Sequence, residues 1–172
     1  MGLFSRKGKN DADRDLGEDV GSGTSEGDDD LVTEGHTGRP VSRRLNDQER
    51  ARIEAGVARL GELGVDIDDV DAIGSAYDAA LARSRADSAA DGGPDVIVDT
   101  YAIAIGEHLA RHSAREWAVV TDVFGTDLGL VAARADTVIV PHNLVGARWM
   151  RGESGWVPRV VSHLVGLRPR SS

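Results

Sequence analysis

The composition of this chain changes sharply near residue 45, and the change limits which part of it can form a folded core. Residues 1–44 contain only nine apolar side chains and eight glycines, and they include a run of three aspartates. Such a segment cannot bury enough apolar surface to offset roughly 1–2 kcal/mol of backbone entropy per ordered residue. The sequence therefore predicts a disordered acidic tail over residues 1–44 and a single folded domain over residues 45–172.

Composition excludes several classes of protein. The chain has no cysteine, which excludes a disulfide scaffold, a cysteine-ligated zinc site and thiol catalysis. No run of about 18 apolar residues is present, and the apolar start is shorter than the roughly 7–15 residues of a signal-peptide core. We therefore expect a cytoplasmic protein without a membrane span. The 29 acidic residues against 20 basic residues argue against a general nucleic-acid-coating protein.

Three helices are predicted in the first half of the domain. Asn46 is a good N-cap with Glu49 three residues later, the spacing of a capping box. A second helix is expected after Asp68 or Asp69, whose carboxylates can cap free backbone amides. The third begins near Pro94, because the fixed φ of proline suits the first turn. This third helix is the most apolar and is expected at the centre of the core.

The second half changes to strand-like patterns. Strands are predicted at 117–121, 128–132 and 137–140, separated by short turns. A short helix or helical turn at 143–150 and a closing helix at 158–167 follow. Helices followed by strands predict an α+β domain, with N-terminal helices on a small antiparallel meander of three or slightly more strands and a C-terminal helix.

Scattered residues in this half carry a family resemblance. They are Gly106-Glu107 and Leu109, Trp117 and Asp122, Gly125 to Leu128, Pro141, Val145 and Arg148, and Gly152-Glu153. With this pattern, residues 106–165 resemble the bacterial family named domain of unknown function 3806. The family has no established activity, so the resemblance implies a domain and leaves its chemistry open.

Histidines and carboxylates suggest one possible site. His108 and His112 are four residues apart on a predicted helix, which is a metal-ligand spacing, and Glu107, Asp122 and His142 could supply further ligands. The alternative is structural, since His108 borders the apolar stripe and His112 lies in the last helical turn, where the helix dipole favours a histidine. We expect the structural role and predict no metal and no cofactor.

The catalytic hypothesis depends on three weak candidates, His108, Asp122 and His142. Asp122 follows a strand, where it could act as a general base or a cation ligand, but the role we expect is the capping of backbone amides in the turn. Asp127 lies on the other side of the same hairpin, so the two carboxylates could approach each other. The sequence contains neither a phosphate-binding loop nor a hydrolase nucleophile elbow. A metal-dependent hydrolase-like enzyme is therefore the second hypothesis.

The first hypothesis is a non-enzymatic accessory module that binds another protein. Trp149 and Trp156 flank a loop that carries Arg151, and Arg148 is nearby, which is the composition of an interaction hot spot. Alternatively, both tryptophans anchor the closing helix to the sheet. The predicted binding residues are Arg148, Trp149, Arg151 and Trp156.

Charge is divided unevenly within the domain. Residues 45–107 hold five arginines and 14 acidic residues, whereas residues 108–172 hold eight arginines and five acidic residues. An arginine-rich second half gives a third, weaker hypothesis, the binding of an anionic ligand or of nucleic acid, and nucleic acid is the less expected of the two. The arginines considered are Arg134, Arg148, Arg151, Arg159, Arg168 and Arg170.

Overall fold

The computed structural model describes residues 40–123, 125–132 and 137–167. The elements are β1 (Val41–Arg43), α1 (Asp47–Glu62), α2 (Val70–Ala86), a short 3-10 turn (Ala90–Gly92), α3 (Pro94–His112), β2 (Arg115–Asp122), β3 (Gly125–Ala132), β4 (Val138–Ile139), α4 (Pro141–Arg151) and α5 (Val157–Gly166). The α+β class is confirmed: three helices precede strands β2–β4 in the chain, and two helices follow them.

The helix starts predicted from capping residues are confirmed. The Asn46 side chain accepts from the Glu49 amide at 2.8 Å, and the Glu49 carboxylate accepts from the Asn46 amide at 2.8 Å. The Asp69 carboxylate accepts from the Asp71 and Ala72 amides at the start of α2. Each cap satisfies amides that have no partner inside the helix, so these starts are determined locally.

The four strands form one antiparallel sheet in the order β1-β2-β3-β4. In the β2–β3 pair, Trp117 lies opposite Leu130 and Val119 lies opposite Leu128. These side chains pack against the helices, and α3 supplies more of the remaining core than any other element does. The predicted meander is therefore present, with one further strand at its N-terminal edge.

That further strand begins before the predicted start of the domain. Val41–Arg43 pairs with β2, with Val41 opposite Thr121 and Arg43 opposite Val119. Its three residues are exposed and have no apolar pattern of their own, so backbone pairing rather than sequence periodicity forms the strand. Residues 1–39 of the predicted tail lie outside the described residues.

Two helices complete the fold after the sheet. α4 begins at Pro141, two residues earlier than predicted, and ends at Gly152, whose φ of 64° is the left-handed conformation that favours glycine. α5 packs mainly against α2 and α3. Within the described ranges, no helix is long and apolar enough to cross a membrane.

Candidate functional site

An aromatic cluster surrounds Tyr77 of α2. Its ring lies edge-on to Tyr101 at 5.6 Å, to Trp149 at 6.0 Å and to Trp156 at 5.6 Å, measured between ring centroids. Burial raises the pKa of Tyr77. Edge-to-face pairs of this kind are favourable beyond the area they bury. The two tryptophans therefore anchor the end of α4 and the start of α5 to helix α2 rather than to the sheet.

The four predicted binding residues meet at one place, which we name the α4–α5 corner (residues 148–156). Trp156 is 3% exposed, and the Arg148 guanidinium carbon lies 4.5 Å from the centroid of its ring. Arg148 also donates to the Leu144 carbonyl at 3.0 Å. Trp149 is partly buried, whereas the Arg151 side chain is 67% exposed and pairs with Glu153 at 3.2 Å.

Two charged residues of α2, which the sequence analysis did not select, hold this corner. The Gly155 amide donates to both carboxylate oxygens of Asp78 at 3.0 Å, and Arg85 donates to the Gly152 carbonyl at 2.7 Å. No local signal identifies them, since their partners lie 77 and 67 residues further along the chain. The corner consequently has a defined shape, and Met150 stands on it with 84% of its surface exposed.

The two histidines of α3 make contacts with the segment before α2. His108 is buried, with Nδ1 2.7 Å from the Ile67 carbonyl, and His112 Nε2 lies 3.0 Å from an Asp68 oxygen. The hydrogen bond with His112, together with Arg111, holds the pKa of Asp68 below its usual value. One ring nitrogen of each histidine is thus engaged in joining residues 67–68 to α3.

His142 lies in a different polar cluster. Its Nε2 is 2.9 Å from Asp99, which also accepts from Arg52 at 2.5 Å, and its Nδ1 is 3.6 Å from Asp127. Burial opposes ionisation of Asp99, but hydrogen bonds from His142 and Arg52 outweigh it and lower its pKa. The cluster joins α1, α3, β3 and α4.

The third catalytic candidate, Asp122, ends β2 opposite Gly125. His108 contacts Ile67, and His142 contacts Asp99 and Asp127. In the part of the chain that the structure describes, no group of three or more histidine or acidic side chains is arranged to hold a metal ion.

Comparison with known proteins identifies one family. Residues 78–159 match the model of DUF3806, a domain of unknown function. The resemblance inferred from the sequence is confirmed. The DUF3806 match begins at Asp78, which contacts the α4–α5 corner, and it includes the whole of that corner. No curated protein matches the chain, and no solved structure matches it.

Proposed function

We propose that the domain is a non-enzymatic accessory module that binds another protein through the α4–α5 corner. The observation that carries this proposal is the exposure of Met150, at 84%, beside the exposed side chain of Arg151 on a corner anchored from α2. Methionine and arginine are enriched in protein interfaces. A surface fixed before binding loses less conformational entropy when its partner docks.

In this proposal the four predicted residues have different parts. Arg148, Trp149 and Trp156 pack inside the corner and maintain its shape. Arg151, together with its neighbour Met150, which the sequence did not indicate, would contact the partner. Such a partner would offer an apolar pocket for the Met150 thioether and a carboxylate that replaces Glu153 opposite Arg151. We propose a bacterial, cytoplasmic setting, where chains without disulfides are ordinary.

The test compares variants of the exposed residues. Proteins enriched from extracts of the native host by the wild-type chain are purified and titrated against Met150→Ala and Arg151→Ala. We expect the Kd of the specific partner to rise by about 10-fold or more for each variant, as at interface hot spots. Leu63→Ala is the matched control, because Leu63 is also exposed, at 60%, but lies at the end of α1.

Substitution of Trp149 or Arg148 would not separate binding from folding, since both pack inside the corner. The proposal is wrong if the wild-type chain enriches no protein over an unrelated bait. It is equally wrong if Met150→Ala and Arg151→Ala bind the enriched partner as tightly as Leu63→Ala does.

A further inference from the structure

A cavity of about 680 Å³ lies where the end of α3 meets the first residues of β2 and the last residues of β3. This volume is within the range of about 300–1,000 Å³ that small-molecule sites occupy. Most of its lining is small or apolar, including Ala110, Val131 and Ala132. Its charged lining residues are Arg115 and Glu116.

Arg115 is only 5% exposed, although arginine keeps its charge under all ordinary conditions. Its Nη1 donates to the Leu164 carbonyl at 2.9 Å, and its Nη2 reaches the Leu167 carbonyl at 3.5 Å. Nε is buried and has no hydrogen-bond partner within the described ranges. Carbonyls at the end of α5 supply a partial negative charge, but none of the described acidic side chains forms an ion pair with this guanidinium.

The incompletely paired atoms define one edge of the guanidinium. Nε and Nη2 lie on the same side, and this edge is the fork that binds a carboxylate through two parallel hydrogen bonds. The Nη2 contact to Leu167 is longer than the usual range of about 2.7–3.2 Å. A buried cation normally has an anionic partner, because burying an unpaired charge is costly.

We propose that Arg115 and this cavity bind a small monocarboxylate with a short apolar body. The carboxylate docks on the Nε–Nη2 edge, and the apolar body lies against the alanines and Val131. Since Nε has no contact with solvent, binding requires a small shift of the Arg115 side chain that releases the long Nη2 contact. Glu116 on the same lining disfavours a doubly charged phosphate, because like charges repel at close range.

This site is independent of the α4–α5 corner, and it moves the anion-binding hypothesis away from the six arginines considered from sequence. Of those six, Arg148, Arg151 and Arg159 lie on helices α4 and α5. The other three, Arg134, Arg168 and Arg170, lie outside the described residues. Arg115 opens a strand, where nothing in the local sequence distinguishes a buried guanidinium from an exposed one.

The experiment is an NMR titration of the full chain with hexanoate, with acetate and inorganic phosphate as comparison ligands. We expect saturable hexanoate binding with a Kd of about 1 mM, from the usual affinity per ligand atom. The largest amide shifts should occur at Ser113, Glu116 and Ala132. Acetate and phosphate should each bind at least about threefold more weakly than hexanoate, because one lacks the apolar body and the other is repelled by Glu116.

Two substitutions test the residues. Arg115→Lys keeps the charge but loses the fork and should raise the hexanoate Kd at least about 10-fold. Arg159→Lys, at an exposed position of α5, and Met150→Ala should leave it unchanged. Glu116→Gln, at an exposed position, should tighten phosphate binding by about threefold and provides the test if Arg115→Lys does not fold.

Any of three outcomes overturns the proposal. The first is an absence of saturable binding of hexanoate at concentrations up to about ten times the expected Kd. The second is a shift pattern centred on the α4–α5 corner, and the third is phosphate binding tighter than that of hexanoate in the wild-type chain. An unchanged hexanoate Kd in folded Arg115→Lys, or an unchanged phosphate Kd in Glu116→Gln, also contradicts it.

Discussion

At Gly106, the ring of Trp117 occupies the space that a Cβ atom would take. The neighbouring Glu107 accepts from the Trp117 indole nitrogen at 3.0 Å and from Arg111 at 2.9 Å. Trp117 of β2 therefore packs on Gly106 of α3 and donates a hydrogen bond to the adjacent Glu107. This contact fixes the separation and orientation of the central helix and the sheet, since the interior is close-packed.

Gly106→Ala should reduce the free energy of unfolding by about 1–3 kcal/mol, because overlap with the Trp117 ring exceeds the helix-propensity gain of roughly 1 kcal/mol. Gly146→Ala on α4 is the matched control. The nearest atom to a Cβ added at Gly146 would be Val98 Cγ1, at 3.8 Å. The free energy of unfolding of this variant should therefore rise by about 0.5–1 kcal/mol. Denaturant unfolding measures both. Equal stability of Gly106→Ala and the wild type would contradict the packing of Trp117.

At the scale of elements, one ion pair attaches strand β1 to helix α1. Arg43 of the strand lies 2.6 Å from Glu49, which also closes the capping box of α1. Hydrogen bonds from Arg43 and from the Asn46 amide lower the pKa of Glu49 to about 2. The edge strand and the helix start therefore share one carboxylate.

Because the folded pKa of Glu49 lies below its unfolded value of about 4.3, its contribution to stability is present above that pH. The contribution is lost as the pH falls toward about 2. Hydrogen-exchange protection of Val41–Arg43 should therefore decrease over this interval. Glu49→Gln keeps the capping hydrogen bond but loses the charge. In this variant the protection of Val41–Arg43 should therefore be lower than in the wild type at neutral pH and should not change as the pH falls. Asp47→Asn is the control, and its protection should follow that of the wild type. The same pH dependence in Glu49→Gln would exclude the ion pair as its cause.

At the scale of the whole molecule, the cluster of Arg52, Asp99, His142 and Asp127 connects elements from both halves of the chain. Arg52 is on α1, Asp99 on α3, Asp127 on β3 and His142 on α4. The acidic helical half and the basic strand half thus meet in a polar contact as well as in the apolar core.

Asp99→Asn should lower stability at pH 7 by about 1 kcal/mol or less, since the Asp99 side chain is 41% exposed and its ion pairs are screened. Its pKa is lowered, so the contribution is complete above the ordinary aspartate value near 4 and is lost as the pH falls below it. The difference in the free energy of unfolding between Asp99→Asn and the wild type should therefore be smaller at about pH 3 than at pH 7. Denaturant unfolding at both pH values measures this. Glu54→Gln, at an exposed position in the middle of α1, should behave as the wild type at both.

Structural features that depend on neighbours within a few residues could be predicted from the amino-acid sequence. Asn46 and Asp69 cap helices through amides two or three positions away, and the apolar stripes identify the buried helix faces. The β2–β3 hairpin follows from two β-rich segments joined by a short turn. The α+β class follows from the order of these elements along the chain, and the family resemblance follows from residue types at fixed spacings; neither requires the tertiary contacts.

Contacts between distant segments, in contrast, could not be predicted, because they form only when the helices and the sheet pack together. Strand β1 exists because β2 pairs with it, and the α4–α5 corner is fixed by Asp78 and Arg85 from α2. Burial made Trp156 a support rather than a contact residue, and it left Arg115 incompletely paired beside a cavity. These outcomes depend on which charged and aromatic side chains face each other after the helices pack, and local periodicity carries no information about that choice.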